Sequence, residues 1–250
     1  MYIILEGGVK YMGRLIALLV SIIVVTSITI KAFWFGLNGH TTPEIINRLP
    51  ILFTPATYVF ALWLVIFVYL LLWCIKYFKN RQDSISTLQL VLFILTVIFQ
   101  ITSLYSFHND HYYTSLLLIG LQVIALFGLY LTYPLNKESI ALRIPIALYL
   151  SRTVFLFILH FCYILVKIQW QAFGLSNALW TVIVLTFGTA IALHLRYHHY
   201  DIAFPIVFIW FYIGIAVANG FEELLVTIAS LFLSGVIIVG IFFIKKGNLN

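Results

Sequence analysis

The chain has 250 residues, of which 63% are hydrophobic and 9% charged, and its mean hydropathy is +1.09. No soluble core absorbs that much apolar surface, so a soluble fold is excluded and an all-α, polytopic membrane helix bundle is expected. The formal charge of +6 is spread over short loops between apolar runs. There it sets orientation in a bilayer and does not mark a nucleic-acid surface.

Residues 1–14 carry Glu6, Lys10 and Arg14, and an apolar run continues from there to Phe35. That run is too long for the apolar part of a signal peptide and lacks a small-x-small cleavage site, so it is expected to stay as the first helix. Met1 and Met12 both suit a translation start. The second helix is expected from the stretch Leu52 to Lys79, LFTPATYVFALWLVIFVYLLLWCIKYFK. Pro55 is placed in its first turn, where a missing N–H costs nothing. No charge follows from Ala56 to Ile75, and Lys76 and Lys79 close the span. Tyr58 and Trp63 near one mouth, with Trp73 and Tyr77 near the other, form the aromatic belts of an interface.

The third helix is expected from about Leu88 to Phe107 and the fourth from about Tyr113 to Tyr133. The fifth should begin at Ile144-Pro145 and end near Val166, and the sixth should run from about Asn177 to Leu195. The last apolar block, Ile202 to Ile244, would be ~64 Å long as one helix, about twice a bilayer core. Asn219-Gly220, a turn pair, divides it. Glu222 and Glu223 then begin helix eight, where carboxylates suit the positive end of the dipole. The expectation is about eight transmembrane helices in one integral membrane domain, 1–250.

The basic residues give an orientation. Lys10, Arg14, Lys76, Lys79, Arg81, Lys137, Arg143, Arg196, Lys245 and Lys246 fall on one side, and Lys31, Arg48 and Lys167 on the other. Ten against three, with Arg152 inside a helix, places both termini in the cytoplasm. Cys74 and Cys162 lie in apolar spans, so they imply neither a disulfide framework nor a reactive thiol.

The order of residues adds what composition does not. Pro55-Ala56-Thr57-Tyr58-Val59-Phe60, followed by Trp63, resembles the opening of the second membrane helix in the tryptophan-rich sensory protein (TspO) and translocator family. There a Pro-Pro-x-Trp-x-Phe stretch and a later Trp follow a polar loop, here Gly36 to Glu44. Ala56 replaces the second Pro and Tyr58 the first Trp. Tyr149 to Phe155, continuing to Leu159-His160, is similar to the family's fifth helix, Tyr-Leu-x-Trp-x-x-Phe-Ala-x-x-Leu-Asn. Arg152 occupies the Trp position and His160 the Asn position. The resemblance covers roughly 15–166, the five-helix core, and leaves 177–244 as three additional helices. It implies a pocket within the bundle for porphyrins, sterols and related apolar ligands, with Pro55, Tyr58, Phe60, Trp63, Tyr149, Arg152 and His160 as its candidate residues.

Arg152 stands out among these. At about eight residues into the fifth helix it lies ~12 Å from the cytoplasmic end. A charge at that depth is expensive and marks a functional candidate. No Asp or Glu lies within any expected span. Its partner is therefore backbone carbonyls, a lipid phosphate or the carboxylate of an anionic ligand, unless the side chain snorkels to the headgroups. His160, eight residues on and ~80° round the helix, can face the same cavity between helices two and five. Gln100 and Gln122, in helices three and four, read as an interhelical hydrogen-bonded pair. His194, His198 and His199 resemble one histidine box of membrane di-iron desaturases. The other histidines lie on the far side or deep in a span, so an interfacial loop is the better reading.

The leading functional expectation is a membrane receptor or sensor that binds an apolar, in one form anionic, ligand such as a tetrapyrrole. A transporter or channel for such molecules is the alternative, and a metal-dependent membrane enzyme a minor one. No catalytic residue, resident cofactor or metal site is expected; porphyrin or haem would enter as ligand. The partners expected are the lipid bilayer of the plasma membrane, a small apolar ligand and, as one option, a second copy in a homodimer, with no nucleic acid.

Overall fold

The computed structural model describes residues 2–79, 85–134 and 137–244, with the backbone alone for 2–10 and 137–141. Arg81, Lys245 and Lys246, and the side chains of Glu6, Lys10 and Lys137, lie outside what is described. The described chain is helical, without a strand: α1 (Tyr2–Ile30), α2 (Thr42–Ile46), α3 (Leu62–Lys79), α4 (Thr87–His108), α5 (Tyr112–Leu131), α6 (Lys137–Lys167), α7 (Asn177–His199), α8 (Ala203–Asn219) and α9 (Leu224–Phe243). Seven of these helices are long and apolar enough to cross a membrane. The fold class is all-α and polytopic, as composition requires.

The seventh expected span is α8, which is apolar but only 17 residues long. At 1.5 Å per residue that is about 25 Å, short of a ~30 Å hydrocarbon core. Its start is fixed by Asp201 Oδ1, which accepts from the Ala203 N–H at 2.8 Å and the Phe204 N–H at 3.3 Å. Its end is fixed by Gly220, whose φ of 51° combined with ψ of −128° is open essentially to glycine alone. The last apolar block therefore divides at Asn219-Gly220, and Glu222 and Glu223 stand in the turn just ahead of α9.

Two boundaries differ from expectation. Helix α6 starts at Lys137, seven residues before Ile144, and carries Pro145 inside it. A proline deletes one backbone bond, which membrane helices tolerate when the freed group is satisfied locally. Pro55 is not in the first turn of a helix. Pro55-Ala56 is non-helical, Ala56 has ψ 143°, and a tight turn over Thr57–Ala61 leads into α3.

The chain forms two compact units, Met1–Thr42 with Trp63–Tyr149, and Pro43–Leu62 with Leu150–Asn250. In the first, α4 packs against α5 and α1. A capping box starts α4: the Ser86 hydroxyl accepts from the Gln89 N–H at 3.1 Å, and Gln89 Oε1 accepts from the Ser86 N–H at 3.0 Å. At one end of this unit Arg14 donates to Thr87 Oγ1 (2.7 Å) and to the Ile85 carbonyl (3.2 Å). At the other, Asn38 Nδ2 donates to Asn109 Oδ1 at 2.9 Å, joining the α1–α2 loop to the α4–α5 turn.

In the second unit α9 packs against α7 and α8. Close approach is made at small residues, the usual device where no hydrophobic effect drives helices together. A Cβ on Gly188 would strike Tyr212 and Phe208, and one on Gly214 would strike Val59 and Pro55. Gly214→Val is therefore expected to cost about 1–3 kcal/mol by overpacking, read as a lower melting temperature in detergent. Gly235, where a Cβ meets nothing within 4 Å, should take the same change almost silently. Equal losses at the two sites would refute this packing.

Candidate ligand-binding site

The residues singled out from the sequence fall in both units. Trp63 and Tyr149 belong to the first, and both are fully buried. Trp63 stacks on Phe67 with centroids 4.7 Å apart and meets the Tyr149 ring at 5.5 Å and 65°. The Tyr149 hydroxyl donates to Gln100 Oε1, which also accepts from Gln122 Nε2 at 3.0 Å. Gln100 Nε2 in turn donates to Thr29 Oγ1 at 2.8 Å. The Gln100–Gln122 pair is thus part of a four-residue polar network that locks Tyr149.

Pro55, Tyr58, Phe60, Arg152 and His160 belong to the second unit. Here α8 receives the loop. The Ala56 N–H donates to the Gly214 carbonyl at 3.0 Å, and Trp210 Nε1 donates to the Val59 carbonyl at 3.2 Å. Tyr58 lies edge-on to Trp210 at 5.8 Å and is about half exposed, whereas Phe60 is buried. Arg152 and His160 are both buried on α6. His160 Nδ1 is 2.9 Å from the Leu156 carbonyl one turn back, which occupies one of its ring nitrogens. Neither residue walls the two recesses of this unit described next.

The tighter recess is a cavity of about 180 Å³. Its wall is drawn from the loop Pro50–Phe53, the last turns of α6 with Cys162, Leu165 and Val166, the α6–α7 connection, and the first turns of α7. The loop is anchored from behind: Phe53 stacks on Phe155 at 4.9 Å, and Phe155 on Phe211 at 3.8 Å. Helix α7 is started by Ser176, whose hydroxyl accepts from the Leu179 N–H at 3.2 Å. This brings Trp180 onto the wall, with its ring 4.7 Å from that of Trp170 at 71°.

The connection is strained. Gln169, Ala172 and Phe173 have φ of 53°, 49° and 55°, a region that costs a side-chain-bearing residue roughly 1–2 kcal/mol. Gln169 closes α6, its N–H donating to the Val166 carbonyl and the Trp170 N–H to the Leu165 carbonyl, both at 3.0 Å, and Gln169 and Ala172 both line the cavity.

Two properties of the wall govern its chemistry. No charged side chain is among the described residues that line it. The Trp180 indole N–H is buried and has no acceptor among the described residues. A wider, open recess of about 390 Å³ shares Pro50–Leu52 with it and is bordered by Pro55, Glu222 and Glu223. Elsewhere, His194 and His198 lie on one face of α7 with rings 4.4 Å apart, as their spacing dictates. Sequence reasoning missed Trp170 and Trp180. The available signal was two tryptophans flanking a glycine-containing connection.

The family model described as TSPO-like protein matches residues 15–243. The chain belongs to the TSPO-like protein family. The match extends past residue 166, where the motif resemblance ends, and takes in α7, α8 and α9, hence the whole cavity wall. Comparison with curated proteins and with solved structures gives no match. As a family member with seven helices long and apolar enough to cross a membrane, the chain is an integral membrane protein.

The Tyr149 network provides a stability test. Gln100→Leu removes the acceptor shared by Gln122 and Tyr149 and the donor to Thr29, leaving the longer Gln122–Tyr149 bond at 3.4 Å, at an expected cost of about 1–2 kcal/mol. Thr102→Val, at an exposed residue bonded only within its own helix, should change thermal stability in detergent by much less. A Gln100→Leu protein as stable as the parent would show that the network contributes nothing.

Proposed function

We propose that the protein is a membrane receptor that holds a small apolar molecule in the cavity between the Pro50–Phe53 loop, α6 and α7. The single observation that carries this reading is an uncharged, aromatic-walled cavity of about 180 Å³ within one compact unit of a TSPO-like chain. The α6–α7 connection contributes Gln169, Trp170 and Ala172 to its wall. Pro55 has a part in this reading through the neighbouring recess. Tyr58, Phe60, Trp63 and Tyr149 act as packing residues, and Arg152 and His160 act within α6. The membrane is the plasma membrane, and with α8 crossing as well, eight spans in all, both termini are cytoplasmic, on the ten-to-three asymmetry of basic residues.

Filling the cavity tests the binding reading. Val166 lines it, and Val166→Phe adds bulk without adding a polar group. Mass spectrometry of small molecules carried by the purified protein should find a ligand in the parent and at most about a tenth as much in a variant of unchanged melting temperature, the tenfold loss corresponding to ~1.4 kcal/mol. An empty parent, or equal amounts in both, would overturn the reading. Orientation is tested separately with His111→Cys, at an exposed position of the α4–α5 turn. Both native cysteines are buried, so an impermeant thiol reagent should label this variant in intact cells. Labelling only after lysis would reverse the topology.

A further inference from the structure

We infer that His194 and His198, near the C-terminal end of α7, form a two-nitrogen site for a divalent transition-metal ion of the copper(II) or nickel(II) class. This site is independent of the receptor reading. Thr181, the last residue of α7 in the cavity wall, precedes His194 by 13 residues by subtraction, ~20 Å at 1.5 Å per residue.

Residues four apart share one face of a helix, and both imidazoles are exposed. Their ring centroids stand 4.4 Å apart, with the planes at 47°. An imidazole nitrogen binds such an ion at ~2.1 Å, which puts the metal ~3.2 Å from the ring centroid. With a right angle between two such bonds the centroids lie ~4.5 Å apart, whereas a tetrahedral angle needs ~5.2 Å. The observed separation matches the right angle, the geometry of square-planar and tetragonal Cu(II) and Ni(II) sites. Turning each ring about its Cβ–Cγ bond aims the nitrogens and hardly moves the centroids, because that axis runs close to them. This torsion is broad and soft.

The end of the helix suits a cation. Both histidines fall in the last six residues of α7, where carbonyls without intrahelical partners carry partial negative charge. Arg196, between them in sequence, lies ~200° round the axis from His194. It is buried and turned to the Tyr200 and Ile241 carbonyls, at 3.0 and 2.8 Å. Among the described residues no third His, Cys, Asp or Glu completes a cluster with the pair. The remaining coordination positions fall to water, so the ion exchanges and does not hold the fold together.

The test uses the full chain in nanodiscs, purified through a tag without histidine and titrated with copper(II) chloride. Electron paramagnetic resonance should show one tight Cu(II) per chain, its lines split by two nitrogens. His194→Gln and His198→Gln should each leave a single-nitrogen spectrum. Each should weaken binding on the order of 10²-fold, because the second ring of the parent binds intramolecularly. The double variant should lose the tight site, and since both positions are exposed, its metal-free melting temperature should stay that of the parent. His199→Gln and His111→Gln should leave affinity and spectrum unchanged. Equal binding by the parent and the double variant would make the copper adventitious and overturn the inference. A parent spectrum split by one nitrogen, or a tight site lost as fully in His199→Gln as in His198→Gln, would overturn it too.

Discussion

The second unit depends on a single requirement: the irregular backbone between α2 and α3 must find hydrogen-bond partners in apolar surroundings. A buried N–H or C=O left unpaired there costs on the order of 1–3 kcal/mol. Helix α8 meets that demand at three points. The Gly214 carbonyl accepts from the Ala56 N–H, Trp210 Nε1 reaches the Val59 carbonyl, and Asn219 Nδ2 reaches the Leu52 carbonyl at 2.9 Å. Gly214 makes the first contact feasible, because any Cβ there would occupy the space of Val59 and Pro55. Pro55 has no N–H to satisfy. Its place beside Ala56 leaves one donor fewer to pair.

This explains two features that look unrelated. Helix α8 is too short to match the other spans, yet it has 11 buried residues among its 17. A helix that supports a loop needs a surrounded face more than it needs length. The same arrangement holds Pro50–Phe53 in place, and of these Pro50–Leu52 wall both recesses of the unit. The shape of the cavity thus rests on backbone pairing made on the far side of the loop.

Most of the fold was legible in the sequence because hydropathy and turn chemistry act locally. The Asn219-Gly220 break, the start of α7 and the Gln100–Gln122 pair all followed from residue type and spacing. The start of α6 did not. A proline was read as a boundary, but Pro145 sits inside a helix already established from Lys137. The position of Pro55 was missed for the opposite reason. A bond to Gly214, 158 residues away by subtraction, holds Ala56 out of the helix, and no local rule contains it. The cavity was illegible on the same ground, since its wall joins Phe53 to Cys162 and Trp180 across more than a hundred residues of sequence.

Arg152 and Trp180 show why sequence and geometry single out different anchors. A cation in a span with no acidic partner draws notice in a sequence, because its charge is costly wherever it lies. In the folded chain Arg152 is buried on α6 and already engaged in an interaction. A tryptophan in a sequence draws no such notice, since most serve as packing or as interfacial belts. Only the fold reveals that the Trp180 N–H is shielded and lacks an acceptor among the described residues. Charge makes Arg152 conspicuous in the sequence, whereas the surroundings of the Trp180 N–H exist only once the chain has folded.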